Sequence, residues 1–302
     1  MDPMSVNVET CPLCSSTGSE LFDRRVVQAS LVTNRLCKTC GLVYQSPRMS
    51  DDELEAFYQK EYREIYQGSE GPNKKDLQVQ RERASALVAF TRDKIEPGIR
   101  HLDIGSSTGM LLIGFHDRYQ TEPVGVEPGI AYRRHAQSLG LKVYESLNEL
   151  RESQERPFQL ISLAHVLEHF PDPVAYLQGL RRDLLVEDGL LLLEVPNLYA
   201  HDSFELAHMI AFSTHTLVQT LKKAGFDVVS LRKHGKPRSQ LLPLYITILA
   251  HSAPDLPLAG DGKLIPEANV PLKRNLGMLK RRVLQKFFPH RAWLPLPEVD
   301  IS

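Results

Sequence analysis

The sequence predicts an α/β fold: a doubly wound, mostly parallel sheet of seven strands with the last antiparallel, preceded by a small metal-knuckle module. Three observations predict it. From residue 99 to residue 250, short apolar runs alternate with segments of helical period, the pattern of a parallel sheet covered on both faces. A glycine-bearing turn, Gly105-Ser106-Ser107-Thr108-Gly109, joins the first such run to the first such helix. All four cysteines lie ahead of this region, in two C-x2-C pairs. At 302 residues the chain is long enough for one sizeable domain and a smaller one.

The cysteine pairs are Cys11-Pro12-Leu13-Cys14 and Cys37-Lys38-Thr39-Cys40, with 22 residues between them, a little beyond the usual ribbon spacing. Two such knuckles can offer four thiolates tetrahedrally to one zinc ion. The alternatives are two disulfides or free thiols. A reducing compartment disfavours the disulfides, so structural Zn2+ on Cys11, Cys14, Cys37 and Cys40 is expected. LFDRRVVQASLVTNRLC reads as short ribbon strands and GLVYQSPR as the closing strand. Ser50 is a helix N-cap ahead of DDELEAFYQKEY, whose acids face the positive end of the helix dipole. KKDLQVQRERASALVAFTRDKI reads as a second helix, ended by Glu96-Pro97-Gly98.

The sheet follows. IRHLDIG, EPVGVEP, LKVYES, FQLISLAH, GLLLLEVPN, DVVSLRK and LYITILA are its strands. MLLIGFHDRY, GIAYRRHAQSLG, PVAYLQGLRRDLL and HTLVQTLKKAGF are its helices. No helical segment separates the last two strands, so they pair antiparallel. The expected boundaries are 1–50 for the ribbon, 51–97 for a helical connector, 98–252 for the sheet domain, and 253–302 for a proline-rich connector with a basic tail.

Bulk composition excludes several roles. A formal net charge of -1 offers no global basic field for nucleic acid. No run reaches the roughly 18 apolar residues of a membrane span. MDPMSVNVET lacks the basic and apolar regions of a signal peptide, which makes a cytoplasmic protein the expectation.

The glycine turn admits three readings. Gly105 to Gly109 spells G-x-S-x-G, the nucleophile elbow of serine hydrolases, with Ser107 as nucleophile. That elbow normally follows several strands and an upstream oxyanion loop; here its strand comes first. A dinucleotide turn would need G-x-G-x-x-G, but Ser107 and Met110 occupy two of the three glycine positions. The third reading fits better. Asp103 closes the first strand, and the second ends in Glu127, placed to take both ribose hydroxyls of a nucleoside. The helix N-terminus and the turn amides can then hold a carboxylate. A ligand with adenosine and an amino-acid carboxylate, but no phosphate, is S-adenosylmethionine.

HLDIGSSTG resembles the first motif of the class I S-adenosylmethionine-dependent methyltransferases, and VGVEP their second. ISLAHVLEHFPDP resembles the segment after their fourth strand in the small-molecule subgroup. GLLLLEVPN and the HxxxFSxxTLxxxLxxAGF run from His208 resemble their fifth strand and its sequel. The resemblance covers residues 98 to 250; Ser107 departs from it, standing where the family mostly has glycine. The ribbon with PRMSDDELEAFY resembles the zinc module ahead of some bacterial methyltransferases. The resemblance implies a Rossmann-like methyltransferase domain. Its cofactor contacts are Asp103, Gly105, Ser106, Ser107, Gly109, Met110, Glu127 and Pro128, with Ser146 and Leu147 (after Glu145) framing the adenine and His165 touching the cofactor.

His165-Val166-Leu167-Glu168-His169 also spells an inverted zinc-protease motif, which needs a regular helix. His165 closes a strand and Pro171-Asp172-Pro173 follows, so that reading fails and a turn bracing the cleft is expected. Methyl transfer to a hydroxyl benefits from a general base, and neutral histidine suits pH 7. The candidates are His165 first, then His208, with His201 and His215 behind them. In the tail, LKRNLGMLKRRVLQKFF places Leu272, Leu276, Leu279, Val283 and Phe287 at helical spacing among Lys and Arg. It is either a helix docked on the body or on a second subunit, as in a homodimer, or one that makes weak contact with a membrane surface through 272–288.

The expected function is S-adenosylmethionine-dependent methylation, as O-methylation, of a small-molecule or sugar/glycan-type acceptor. An RNA methyltransferase gripping RNA with its ribbon is the first alternative. The ribbon's mixed charge and few aromatics argue against it, as does the lack of an N-P-P-Y-like loop after strand four. A non-catalytic module binding cofactor or partner is the second.

Overall fold

A computed structural model describes residues 5–50, 52–54, 57, 71–253 and 264–294. Most of the helix expected from Ser50 to residue 62 lies outside them. Its start is described: Ser50 Oγ accepts the Glu53 amide at 3.2 Å, and the Glu53 carboxylate accepts the Ser50 amide at 2.7 Å. This reciprocal capping box nucleates the first turn.

The large sheet has seven strands: β4 (Arg100–Ile104), β5 (Glu122–Val126), β6 (Lys142–Tyr144), β7 (Phe158–Ala164), β8 (Leu185–Pro196), β10 (Phe226–His234) and β11 (Tyr245–Ser252). Their spatial order is β10-β11-β8-β7-β4-β5-β6. Strands β4 to β8 are parallel, while β11 runs antiparallel to both β8 and β10. β11 thus separates two strands that run the same way, the arrangement expected from two runs with no helix between them. All five residues of β4 are buried, as befits a central strand with helices on both faces.

The helices are α1 (Lys74–Phe90), α2 (Met110–Tyr119), α3 (Ile130–Ser138), α4 (Leu147–Glu152), α5 (Pro173–Asp183), α6 (Thr214–Lys223), α7 (Val270–Phe287) and α8 (Pro289–Ala292). α1 ends at Phe90 with Thr91 as its C-cap, six residues before Pro97, which was expected to stop it. Ala84, Leu87 and Phe90 of α1 share one core with Phe115 and Tyr119 of α2 and Leu160, Leu192 and Leu249 of the sheet. Each fully buried Leu there contributes about 1.5–3 kcal/mol. α4 was not anticipated; it is a single short turn pair, capped by Ser146, whose Oγ accepts the Glu149 amide.

The ribbon strands β1 (Ser19–Val27), β2 (Ser30–Cys37) and β3 (Val43–Gln45) form a second sheet. Its fourth strand, β9 (Ile210–Ala211), comes from the segment after β8: Val43 pairs with Ala211 and Tyr44 with Ile210. Cys11, Cys37, Cys40, Leu42 and Tyr44 belong to the same buried cluster as Leu163, Leu193 and Ile248 of the large sheet. Ribbon and sheet domain therefore share both a core and a ladder. Among the described residues no helix is long and apolar enough to cross a membrane.

Candidate active site

The expected contact residues gather at the carboxyl ends of β4 to β7, where open parallel sheets bind ligands. The turn after β4 is left-handed at Gly105 (φ 74°), Ser107 (φ 49°) and Gly109 (φ 79°). A Cβ on Gly109 would lie 2.2 Å from Leu141 Cδ1; this glycine answers to both backbone and space. Met110 opens α2, whose N-terminus has no side-chain cap, unlike α1, α4, α5 and α6. Its first-turn amides are thus available to an anion.

Glu127 directly follows β5, with Pro128 beside it, and is buried. Its carboxylate accepts the Ser107 and Gly129 amides, each at 2.8 Å, so it ties the first turn to the second. A carboxylate has about four acceptor sites, and a ribose diol can share them. Ser106 is buried between this turn and Gly125, where a Cβ would lie 2.7 Å from Ser106 Oγ. Asp103 points into the sheet. Ser162 Oγ donates to Asp103 Oδ1 at 2.6 Å and lies 2.7 Å from His101 Nε2. Burial, reinforced by the Glu127 charge and opposed by the Ser162 bond, pushes Asp103 up to about 7. Ser146 and Leu147 stand at the start of α4, just beyond β6.

The hydrolase reading requires a base beside Ser107. Its buried Oγ has no hydrogen-bond partner among the described residues. Ser107→Ala is expected to leave cofactor affinity within about 0.5 kcal/mol, measured by calorimetric titration; an esterase activity abolished by it would revive the nucleophile.

His165 follows β7 with φ 59°. The next residues form a single 3-10 turn, Leu167–His169, so the protease-like motif has no regular helix, as its prolines imply. His165 sits between two carboxylates, with Nδ1 3.4 Å from Glu168 Oε1 and Nε2 3.3 Å from Glu194 Oε1. Burial and the Arg83 guanidinium disfavour its protonation, but Glu168 and Glu194 outweigh them and raise it above the ordinary histidine range. Glu194 also pairs with Arg83 Nε at 2.9 Å and His234 Nε2 at 3.2 Å, and accepts from Thr247 Oγ1 at 3.2 Å. Burial works against its charge, yet these partners hold Glu194 well below the carboxylate range.

His208 lies in the segment after β8. Its Nδ1 is 2.7 Å from the Ser203 carbonyl, so it carries the proton and donates. Nε2 then presents a lone pair, 3.7 Å from Glu205 Oε2. Burial keeps His208 below the ordinary histidine range. His169 repeats the device, with Nδ1 2.9 Å from the Ala207 carbonyl and its ring centroid 4.8 Å from that of His208. Burial lowers it to about 4. Glu168 is buried beside them, and among the described residues neither of its oxygens has a hydrogen bond, His165 Nδ1 at 3.4 Å being its ion-pair neighbour. His201 lies against Tyr245, 5.7 Å between ring centroids. His215 instead faces away, with Nε2 2.7 Å from the Ile265 carbonyl. Glu194, Arg83, His234 and Glu205 were not singled out from the sequence; the one available signal was an acid, Glu194, inside the apolar run LLLLEVP.

In the ribbon, the ligand atoms of Cys11, Cys14, Cys37 and Cys40 all lie within 4.8 Å of one another. Cys11 and Cys40 Sγ are 3.5 Å apart, and Cys14 and Cys37 Sγ 3.4 Å. Both are far beyond the ~2.05 Å of a disulfide and close to the ~3.8 Å edge of a tetrahedron with 2.3 Å zinc–sulfur bonds. The donor set fits structural zinc and leaves no open position.

Residues 76–231, just over half of the chain, match a family model described as a methyltransferase domain. No match to the chain is found among curated proteins. Solved structures with a similar fold include an S-adenosylmethionine-dependent methyltransferase from Mesorhizobium loti, at 13% identity and TM-score 0.44, covering 55% of this chain and 96% of that one. Another is a methyltransferase of the same dependence from Clostridium acetobutylicum ATCC 824, at 12% and 0.45, covering 64% and 96%. A third is magnesium protoporphyrin IX methyltransferase from Synechocystis PCC 6803 with bound SAM, at 16% and 0.47, covering 66% and 95%.

Proposed function

We propose that this chain, which belongs to the methyltransferase-domain family, methylates a hydroxyl of a small-molecule or glycan-type acceptor, using S-adenosylmethionine as donor. The carrying observation is the paired turn in which Glu127 joins the Ser107 and Gly129 amides beside an uncapped helix N-terminus. That arrangement suits a nucleoside diol next to a carboxylate. S-adenosylmethionine bound there supplies an electrophilic methyl carbon on a sulfonium. The first-turn amides of α2 would hold its carboxylate, Glu127 would hold the ribose, and Ser146 and Leu147 would border the base.

The chain's own contribution to the chemistry is alignment and proton removal. His208 is the better-suited base. Its Nδ1 is committed to the Ser203 carbonyl, and its lowered affinity for protons leaves Nε2 free to accept one from an acceptor hydroxyl. His165, raised and held between Glu168 and Glu194, positions the cleft wall instead. Structural zinc on Cys11, Cys14, Cys37 and Cys40 supports β9 and the segment that carries His208.

Glu127→Ala is expected to weaken S-adenosylhomocysteine binding by about 1.5–3 kcal/mol, as for a lost charge-assisted hydrogen bond; unchanged affinity in a titration would remove the ribose assignment. The acceptor class is tested by incubating the protein with methyl-labelled donor and a fractionated cell extract. Label in the small-molecule or glycan fraction, lost in His208→Ala, is the expected outcome. Ribonuclease-sensitive label in RNA would replace this reading with the RNA one.

A further inference from the structure

α7 docks on the protein through its polar side. Arg274, buried, donates to the carbonyls of Leu198 and His201 and pairs with Asp202 at 2.8 Å. Arg281 donates to the Ala200 carbonyl at 3.2 Å. Gly277 lies between them on the helix, where a Cβ would stand 1.8 Å from the Tyr199 carbonyl oxygen; only glycine allows this approach. The apolar side faces away. Leu272, Leu276, Leu279, Val283 and Phe287 are 57, 58, 56, 45 and 65% exposed. At about 100° per residue they fall within an arc of about 80°, opposite the docked face. Lys280, Lys286 and Arg282 flank this arc, and no acid occurs in α7.

We propose that this outward stripe is a docking surface for an anionic lipid bilayer, on which α7 lies in the interface plane. A helix with an apolar arc between cationic borders fits that surface: apolar side chains enter the acyl boundary and lysines and arginines meet lipid phosphates. The same charges argue against a second copy of the chain as occupant. Pairing two such faces would bring two like-charged rows within a Debye length of about 8 Å. Phe288, 50% exposed, and Trp293, 39% exposed, follow the helix end and are aromatics of the kind enriched at membrane interfaces; the Trp293 ring lies 5.5 Å from the Arg281 guanidinium, beside the docked face. This inference is independent of which acceptor is methylated.

Trp293 is the only tryptophan of the chain and is partly exposed just past α7, so its fluorescence follows changes at the end of the helix, while sedimentation reports binding itself. The full-length protein is titrated with phosphatidylcholine vesicles and with vesicles rich in phosphatidylglycerol, and also sedimented with them. The expected result is a blue shift and co-sedimentation with the anionic vesicles, at least about tenfold weaker with the neutral ones and in high salt. Lys280→Glu, Arg282→Glu and Lys286→Glu should each weaken partitioning about fivefold or more. Leu276→Glu with Val283→Glu should reduce it roughly tenfold or more, with S-adenosylhomocysteine binding retained as the check on folding. Two results overturn the proposal. One is binding that ignores these variants or is absent from anionic vesicles. The other is a dimer in sedimentation velocity that Leu276→Glu dissolves while vesicles leave it unchanged.

Discussion

Stripping metal from the cysteine cluster should disorder the segment that carries His208, the proposed base, as well as the ribbon. Structural zinc contributes about 10–16 kcal/mol of folding free energy in small modules, and β3 begins three residues after Cys40. β3 pairs with β9, the Gln45 amide donates to the Met209 carbonyl at 2.8 Å, and its side-chain amide donates to the Glu205 carbonyl at 3.1 Å. These bonds flank His208. Losing β3 would release the segment from residue 203 to residue 211, whereas the turns proposed to receive the cofactor follow β4, β5 and β6. The expected outcome of chelation is fast amide exchange over residues 5–50 and 203–211, lost methyl transfer, and retained S-adenosylhomocysteine binding. Protection at 205–211 unchanged by chelation, with zinc gone, would contradict this coupling.

Glu194→Gln should be the most damaging single change in the sheet. Glu194 is fully buried and its charge answers His165, Arg83 and His234 together. Removing one partner of a buried charge network leaves the others uncompensated, at about 3–5 kcal/mol, read as a lower urea midpoint. The pH dependence has a definite sign. The pKa values of Glu194 and Glu168 are depressed in the folded state, that of Glu168 to about 2. Their stabilisation is present above the unfolded carboxylate value of about 4.3 and is lost as pH falls through the folded values. The His165 value is raised, so its contribution is full below about 6.5 and is lost as pH rises through the folded value. The network is therefore strongest between about pH 4.3 and pH 6.5; the variant should lose most stability inside that window and show a weaker pH dependence below and above it. A midpoint change worth under about 1 kcal/mol would show that the charges are compensated elsewhere.

Much of this was legible because apolar period reports burial. MLLIGFHDRY is helical over the residues expected, 110–119, and the parallel strands lie where their apolar runs do. The antiparallel end of the sheet followed from the missing helix between the last two runs. Pairing between distant segments was not legible: nothing local in Ile210-Ala211 marks a partner for Val43-Tyr44, since two residues carry no period. α4 was missed because NELRE is short and polar. In the candidate site, the left-handed glycines of the turn, Gly105 and Gly109, and an acid, Glu127, at the tip of β5 were readable from the sequence, whereas the surroundings of the histidines were not. His165 and His208 look alike in sequence. They differ because one lies between two carboxylates and the other is fixed by a main-chain carbonyl. The apolar pattern of residues 272–287 was visible too, but which face would dock depended on Gly277 meeting Tyr199.

The measurement that bears most directly on the central claim is a calorimetric titration of the zinc-replete protein with S-adenosylhomocysteine, with NAD as control. The account predicts one site of micromolar affinity, about -8 kcal/mol, for the first ligand and none for the second. Absence of S-adenosylhomocysteine binding to folded protein, or preference for NAD, would contradict it.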